Sequence, residues 1–303
     1  MDVLRTPDER FAGLPDFDYP ARYVTVGTPG ADDVRVAYVE AGPADGPVVL
    51  LLHGEPSWSF LYRTMLPVLA GHGLRAIAPD LVGFGRSDKP ARVADHSYAR
   101  HVEWIRALAF DRLDLREVTL FGQDWGGLLG LRLVAEHPDR FARVVAANTG
   151  LPTGDDPMPE VWWQFRRVVE KAPALDVARL VQSGCQTRLT DAVQAGYAAP
   201  FPDQSYLAGP RAMPLILPTA PDDPATEANR AAWQRLRQWD RPFLVAFSDR
   251  DPITASMAPV LKREIPGAAG LGHPVIKGAG HFLQEDAGPE LAEIVGSFVT
   301  DGV

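Results

Sequence analysis

Apolar positions along the chain follow two rhythms. Ala21 to Gly27 and Val34 to Glu40 alternate apolar with polar residues, which predicts two half-buried strands joined by a turn at Pro29-Gly30-Ala31-Asp32-Asp33. Val48 to Leu52 is apolar on both faces, as a strand covered by helices on both sides should be. A helix is expected over Ser59 to Ala70, with Pro67 kinking or shortening it. Leu74 to Ala78 reads as the next strand, continued by a glycine-studded loop from Asp80 to Pro90. Tyr98 to Leu113 reads as a helix, Val118 to Phe121 as a strand, Leu128 to Glu136 as a helix stopped by Pro138, and Arg143 to Asn148 as another strand.

The rhythm breaks from about Pro152 to Ala225, where prolines crowd in and no buried β run occurs; this predicts an inserted helical cap. It resumes with a strand at Phe243 to Phe247, a helix at Ser256 to Ile265, a last strand at His273 to Ile276 and a closing helix at Glu290 to Val299. Strands alternating with helices on both sides of the insertion imply an α/β domain with a mostly parallel sheet and right-handed crossovers. The expected division is core 1–151, cap 152–225 and core again 226–303.

Composition narrows the function classes. A formal charge of −9, with no basic stripe, disfavours nucleic acid as a partner. Apolar runs such as Val48 to Leu52 are far too short to span a bilayer, and the opening Met1-Asp2-Val3-Leu4-Arg5 lacks the organisation of a secretory signal, so a cytoplasmic protein is expected. The single cysteine, Cys185, rules out an internal disulfide and zinc-finger spacing.

The candidate chemistry centres on Gly122-Gln123-Asp124-Trp125-Gly126-Gly127, between an expected strand and an expected helix. A nucleophile elbow has the form G-x-S-x-G; here aspartate stands at the nucleophile position. An ordinary carboxylate is ionised at neutral pH and needs no base to act as a nucleophile. The pattern alone is weak, and Asp124 could instead form an Asx turn. The α/β-hydrolase topology, however, demands an acid and then a histidine after the nucleophile. Asp251, with Asp249 beside it, follows the Phe243–Phe247 strand, and His281 follows the last strand. Asp251 is the expected acid and Asp249 a turn residue or helix cap. The sequence holds seven histidines, of which His281 alone stands where this topology places the base. By position, the backbone amides of Glu55 and Trp125 would form the oxyanion hole, and the Glu55 side chain could hold a water.

The chain resembles the haloalkane dehalogenases of the α/β-hydrolase superfamily from about Ala21 to Phe298. The resemblance rests on His53-Gly54-Glu55-Pro56-Ser57-Trp58-Ser59, the Asp80 to Pro90 loop, Gln123 to Gly127 and the cap stretch Tyr197 to Tyr206. It implies that Asp124 displaces halide from an sp3 carbon and that Trp125 donates its indole N–H to the departing halide. Because Glu55 follows His53-Gly54, where some members carry asparagine, the resemblance points to the branch that uses a cap tryptophan as second donor: Trp163, with Trp162 as second choice. A small halogenated aliphatic substrate, water and halide are the implied partners of a monomer, with no metal or organic cofactor. The nearest rival is an epoxide hydrolase with the same triad, for which Tyr197 and Tyr206 could activate the epoxide oxygen.

Overall fold

The structure is a computed structural model that describes residues 1–27 and 33–301; apart from Asp33, the turn expected after the first strand lies outside them. Among the described residues seven strands form the central sheet: β1 (Arg22–Val26), β2 (Val34–Ala41), β3 (Val48–Leu52), β4 (Arg75–Pro79), β5 (Val118–Gln123), β6 (Phe141–Ala147) and β7 (Phe243–Val245). Their spatial order is β1-β2-β4-β3-β5-β6-β7. The pairs β1–β2 and β2–β4 are antiparallel and all the others are parallel. The doubly apolar runs occupy the middle: Val49 to Leu52 and all six residues of β5 are buried, whereas the alternating β1 lies at the edge and is largely exposed.

Register then places the chemistry. Leu52 pairs with Gly122, and Gln123 with Ala147, so β3, β5 and β6 end together. The next residues of each chain, His53-Gly54-Glu55, Asp124 and Asn148, emerge side by side at the C-terminal edge, where open α/β sheets bind ligands.

Several elements differ from the expectations. The single helix over Ser59 to Ala70 is instead a 3-10 turn (Ser59–Tyr62) followed by a helix (Leu66–Gly71). Pro67 lies in the first turn of that second helix, where its missing N–H would have had no partner, so it starts a helix rather than kinking one. The helix from Tyr98 changes at Ala107 into a wider π-type turn that ends at Arg112. The strand over Phe243 to Phe247 is split: after β7 the chain steps out, and Phe247–Ser248 (β8) pairs in parallel with Val275–Ile276 (β9). The last strand is shorter than expected, covering only the two residues that pair with β8; before it, His273 Nδ1 accepts the Val245 N–H (3.2 Å). The closing helix starts at Leu283 rather than Glu290, its first turn separated from the rest by a non-helical Ala287.

Between β6 and β7 the described chain forms α-helices Glu160–Lys171, Val177–Gly184, Asp191–Ala198 and Ala208–Ile216, which make up the insertion, and then Thr226–Leu236, which packs on the helix Trp125–Glu136 of the core. This insertion lies over the loops at the strand ends. Trp58 donates its indole N–H to the Gly196 carbonyl (3.1 Å), and the Phe282 N–H donates to Gly184 (3.2 Å). From the N-terminal segment, Thr6 donates to Pro200 (2.6 Å) and so straps the insertion to the core. Among the described residues, no helix is long and apolar enough to cross a membrane.

Candidate active site

Asp124 sits between β5 and the helix Trp125–Glu136 at φ 50° and ψ −126°, a left-handed conformation that is strained for a residue with a side chain. The strain persists because the surroundings fix it. The Asp124 N–H donates to the Asn148 carbonyl (3.1 Å), and Thr149 Oγ1 donates to the Asp124 carbonyl (2.8 Å). A side chain at Gly126 would place its Cβ 1.9 Å from the Leu52 carbonyl oxygen, so only glycine lets the helix start this close to β3. This also explains why the helix begins at Trp125, three residues before its apolar pattern starts.

The elbow aims the carboxylate at two groups. Asp124 Oδ1 accepts the Glu55 N–H (2.8 Å), and Oδ2 lies 3.4 Å from His281 Nε2. The other ring nitrogen of His281 is 3.2 Å from Asp251 Oδ2. Asp124, His281 and Asp251, far apart in the chain, are thus brought together. Asp249 faces elsewhere and accepts the Gly278 N–H (2.8 Å).

Asp251 is 2% exposed, and the Ile253 N–H (2.9 Å) and the Thr254 hydroxyl bind its two oxygens. Burial alone would raise its pKa, but the charge of His281 and these hydrogen bonds outweigh it and hold Asp251 at about 2. For His281 burial acts the other way, and the carboxylates of Asp251 and Asp124 overcome it to raise the imidazole to about 10. The histidine is therefore held as an imidazolium beside Asp251 and Asp124. Glu55 shares the neighbourhood: burial, and then the charge of Asp124, push its carboxyl well above the ordinary carboxylate range. Its Oε1 is buried with no hydrogen-bond partner among the described residues. Trp125 opens its helix, where backbone N–H groups have no helical acceptor.

Two residues that the sequence pattern did not single out hold this arrangement. Gln123 Nε2 donates to the His281 carbonyl (3.1 Å). Asn148, fully buried, donates from Nδ2 to Ser248 Oγ (2.8 Å) and to the carbonyls of Gly280 (2.9 Å) and His281 (3.1 Å), and its Oδ1 accepts the Ser248 N–H (2.9 Å). It therefore ties the β8 segment leading to Asp251 to the loop carrying His281. The available signal was an asparagine ending a buried strand; its φ of 39° is a conformation asparagine tolerates better than most residues.

Tyr197 does not reach the site. It is fully buried and donates its hydroxyl to Glu285, which also pairs with Arg63 (Nη2, 2.7 Å). A surface hollow of about 410 Å³ between Leu244, Pro274, Ile294 and Phe298 touches none of the site residues. Among the described residues there is no cluster of three or more His, Cys, Asp or Glu that could hold a metal ion.

Residues 47–288 match the α/β hydrolase fold family. Over 301 residues the chain is 51% identical to a haloalkane dehalogenase of Psychrobacter cryohalolentis, covering 99% of both. It is 53% identical to a haloalkane dehalogenase of Mycobacterium marinum, covering 97% of this chain and 98% of the relative. The chain belongs to the haloalkane dehalogenase family. It catalyses the hydrolytic dehalogenation of haloalkanes to alcohol, halide and a proton. Among solved structures it resembles the haloalkane dehalogenase DpaA from Paraglaciecola agarilytica NO2, described as tetrameric, with a TM-score of 0.91 and 36% identity over 99% of this chain and 100% of that one.

The indole N–H groups differ in whether they have an acceptor. Trp58 and Trp233 are committed to carbonyls of Gly196 (3.1 Å) and Leu151 (2.7 Å). The indole N–H groups of Trp104 and Trp239 are buried without a hydrogen-bond partner among the described residues, Trp104 packed against His96 and His101 and Trp239 against Arg241. Trp125, 5% exposed and packed on Tyr98, makes no indole hydrogen bond among the described residues, and neither do Trp162 and Trp163. The latter two pack edge to face, centroids 4.9 Å apart, with Trp162 the more buried.

Proposed function

We propose that dehalogenation runs through a covalent alkyl ester of Asp124. Oδ1, already bound by the Glu55 N–H, becomes the ester carbonyl oxygen, so Oδ2 is the atom that attacks the halogen-bearing carbon. The C–O bond forms as the C–X bond breaks, and the halide leaves with the bonding pair toward Trp125 and a cap tryptophan. Indole N–H groups suit this task because they donate without offering an acceptor that repels an anion. Trp163 is our first choice for the second donor and Trp162 our second. Esterification removes one of the two charges that keep His281 protonated, the imidazolium gives its proton to solvent as the proton released overall, and the neutral imidazole then takes a proton from water. Hydroxide adds to the ester carbon, the Glu55 and Trp125 amides stabilise the oxyanion, and its collapse frees the alcohol and regenerates Asp124.

The placement of His281 between Asp124 and Asp251, 3.4 Å and 3.2 Å from their oxygens, carries this reading. Residues 152–225 act in it as a cap that covers the site and keeps bulk water from the halide, and every group required comes from one chain, so a monomer in the cytoplasm suffices. Single-turnover hydrolysis of 1-bromobutane in oxygen-18 water tests the scheme. The label should enter the Asp124 carboxylate; label found only in the alcohol would mean that water attacks the substrate directly. Trp163→Phe should weaken halide binding more than Trp162→Phe, and the reverse order would transfer the role.

A further inference from the structure

The loop carrying His281 is gripped from two sides. On the core side Asn148 and Gln123 hold its carbonyls. On the other side it lies against the segment that joins the helices Val177–Gly184 and Asp191–Ala198. The Phe282 N–H donates to the Gly184 carbonyl (3.2 Å), and a Cβ on Gly280 would stand 2.4 Å from that same oxygen, so the two stretches meet backbone to backbone.

Asp286 closes this seam. Its Oδ2 accepts the N–H of Gly280, the residue immediately before His281 (2.8 Å). The same carboxylate accepts the N–H of Gln186 (3.0 Å to each oxygen) and of Thr187 (2.6 Å to Oδ1) from the insertion. One carboxylate thus binds three backbone amides, and charge-assisted bonds of this kind are stronger and more directional than neutral ones. None of these contacts touches Asp124 or the elbow.

We propose that Asp286 is a positioning residue that makes the seating of residues 184–187 a condition for the correct placement of His281, and hence for hydrolysis of the ester. The inference rests on the covalent-ester reading. In that scheme the first half-reaction uses Asp124 and the halide donors, while only the second uses His281. Loosening the seam therefore slows the second half and spares the first. A residue that merely stabilised the fold would not divide the two halves in this way.

The test follows halide release from 1,2-dibromoethane by stopped flow and the protein by intact mass, in wild type, Asp286→Ala, Asp286→Asn and His281→Phe. In both Asp286 variants the halide burst should stay within about twofold of wild type while steady-state turnover falls roughly 10- to 100-fold, the scale expected for a displaced catalytic group. An adduct should accumulate on Asp124, and Asp286→Asn, which keeps one acceptor oxygen and the shape, serves if the alanine variant does not fold. Turnover within about twofold of wild type in Asp286→Asn, or a burst lost in proportion to turnover with no adduct while His281→Phe still accumulates one, overturns the role of Asp286. If His281→Phe itself forms no adduct, the ester reading fails and this inference with it.

Discussion

Replacing Asn148 with alanine removes the side chain that joins the two loops behind the triad. The Ser248 N–H loses its acceptor in a fully buried setting, which costs about 1–3 kcal/mol. The carbonyls of Gly280 and His281 keep other donors, Ser248 Oγ (2.7 Å) and Gln123 Nε2 (3.1 Å), so the lost amide donor adds only about 1 kcal/mol. Alanine also tolerates a φ of 39° less well than asparagine, which adds roughly 1 kcal/mol. The sum is about 3–5 kcal/mol, equivalent to a fall in Tm on the order of 10 °C for a chain of this size. Urea unfolding followed by circular dichroism reads the first quantity, and scanning calorimetry the second. The backbone bond from the Asp124 N–H to the Asn148 carbonyl does not involve the side chain, so the elbow and the alkylation step should survive while ester hydrolysis slows. A loss below about 1 kcal/mol with unchanged turnover would refute the view that this amide holds the base in place.

Tyr197→Phe should cost about 1 kcal/mol, because Glu285 keeps Arg63, and should leave haloalkane turnover within about twofold of wild type; a large fall in kcat with stability unchanged would return Tyr197 to the chemistry. The pH dependence of stability follows from the triad's charges. With His281 raised from 6.5 to about 10, its contribution is complete below the unfolded value and is lost as pH climbs through about 10; Asp251, lowered from 3.8 to about 2, contributes above 3.8 and loses its contribution as pH falls through about 2. Denaturant titrations at about pH 6 and about pH 10 should therefore show wild type losing stability at the upper pH, and His281→Phe losing less; equal losses in the two proteins would mean that His281 is not the group responsible.

The legibility of the sequence depended on how local each determinant is. The elbow could be read because strand, nucleophile and helix are contiguous and their residue types carry the geometry. His281 was read from chain order, which does not separate Asp249 from Asp251; Asp251 was preferred because Asp249 reads as a turn or cap residue, and the fold sets Asp251 beside His281. The break between Ser59–Tyr62 and Leu66–Gly71, and the step that parts β7 from β8, escaped because apolar pattern records burial and not which neighbour accepts each hydrogen bond. The roles of Asn148 and Asp286 escaped for the same reason. Their partners lie about a hundred residues away or across a seam, as with Ser248 for Asn148 and Gln186 for Asp286. For Tyr197, a residue type suited to epoxide activation was visible, but not the buried Arg63–Glu285 pair that occupies its hydroxyl.

The most direct test of the covalent scheme is intact-mass spectrometry of His281→Phe after exposure to 1,2-dibromoethane. Without the base the ester cannot be hydrolysed, so the protein should gain one bromoethyl group, located on Asp124 by peptide mapping, and release one equivalent of bromide. An unmodified mass after bromide release, or a group attached to any other residue, would contradict the account.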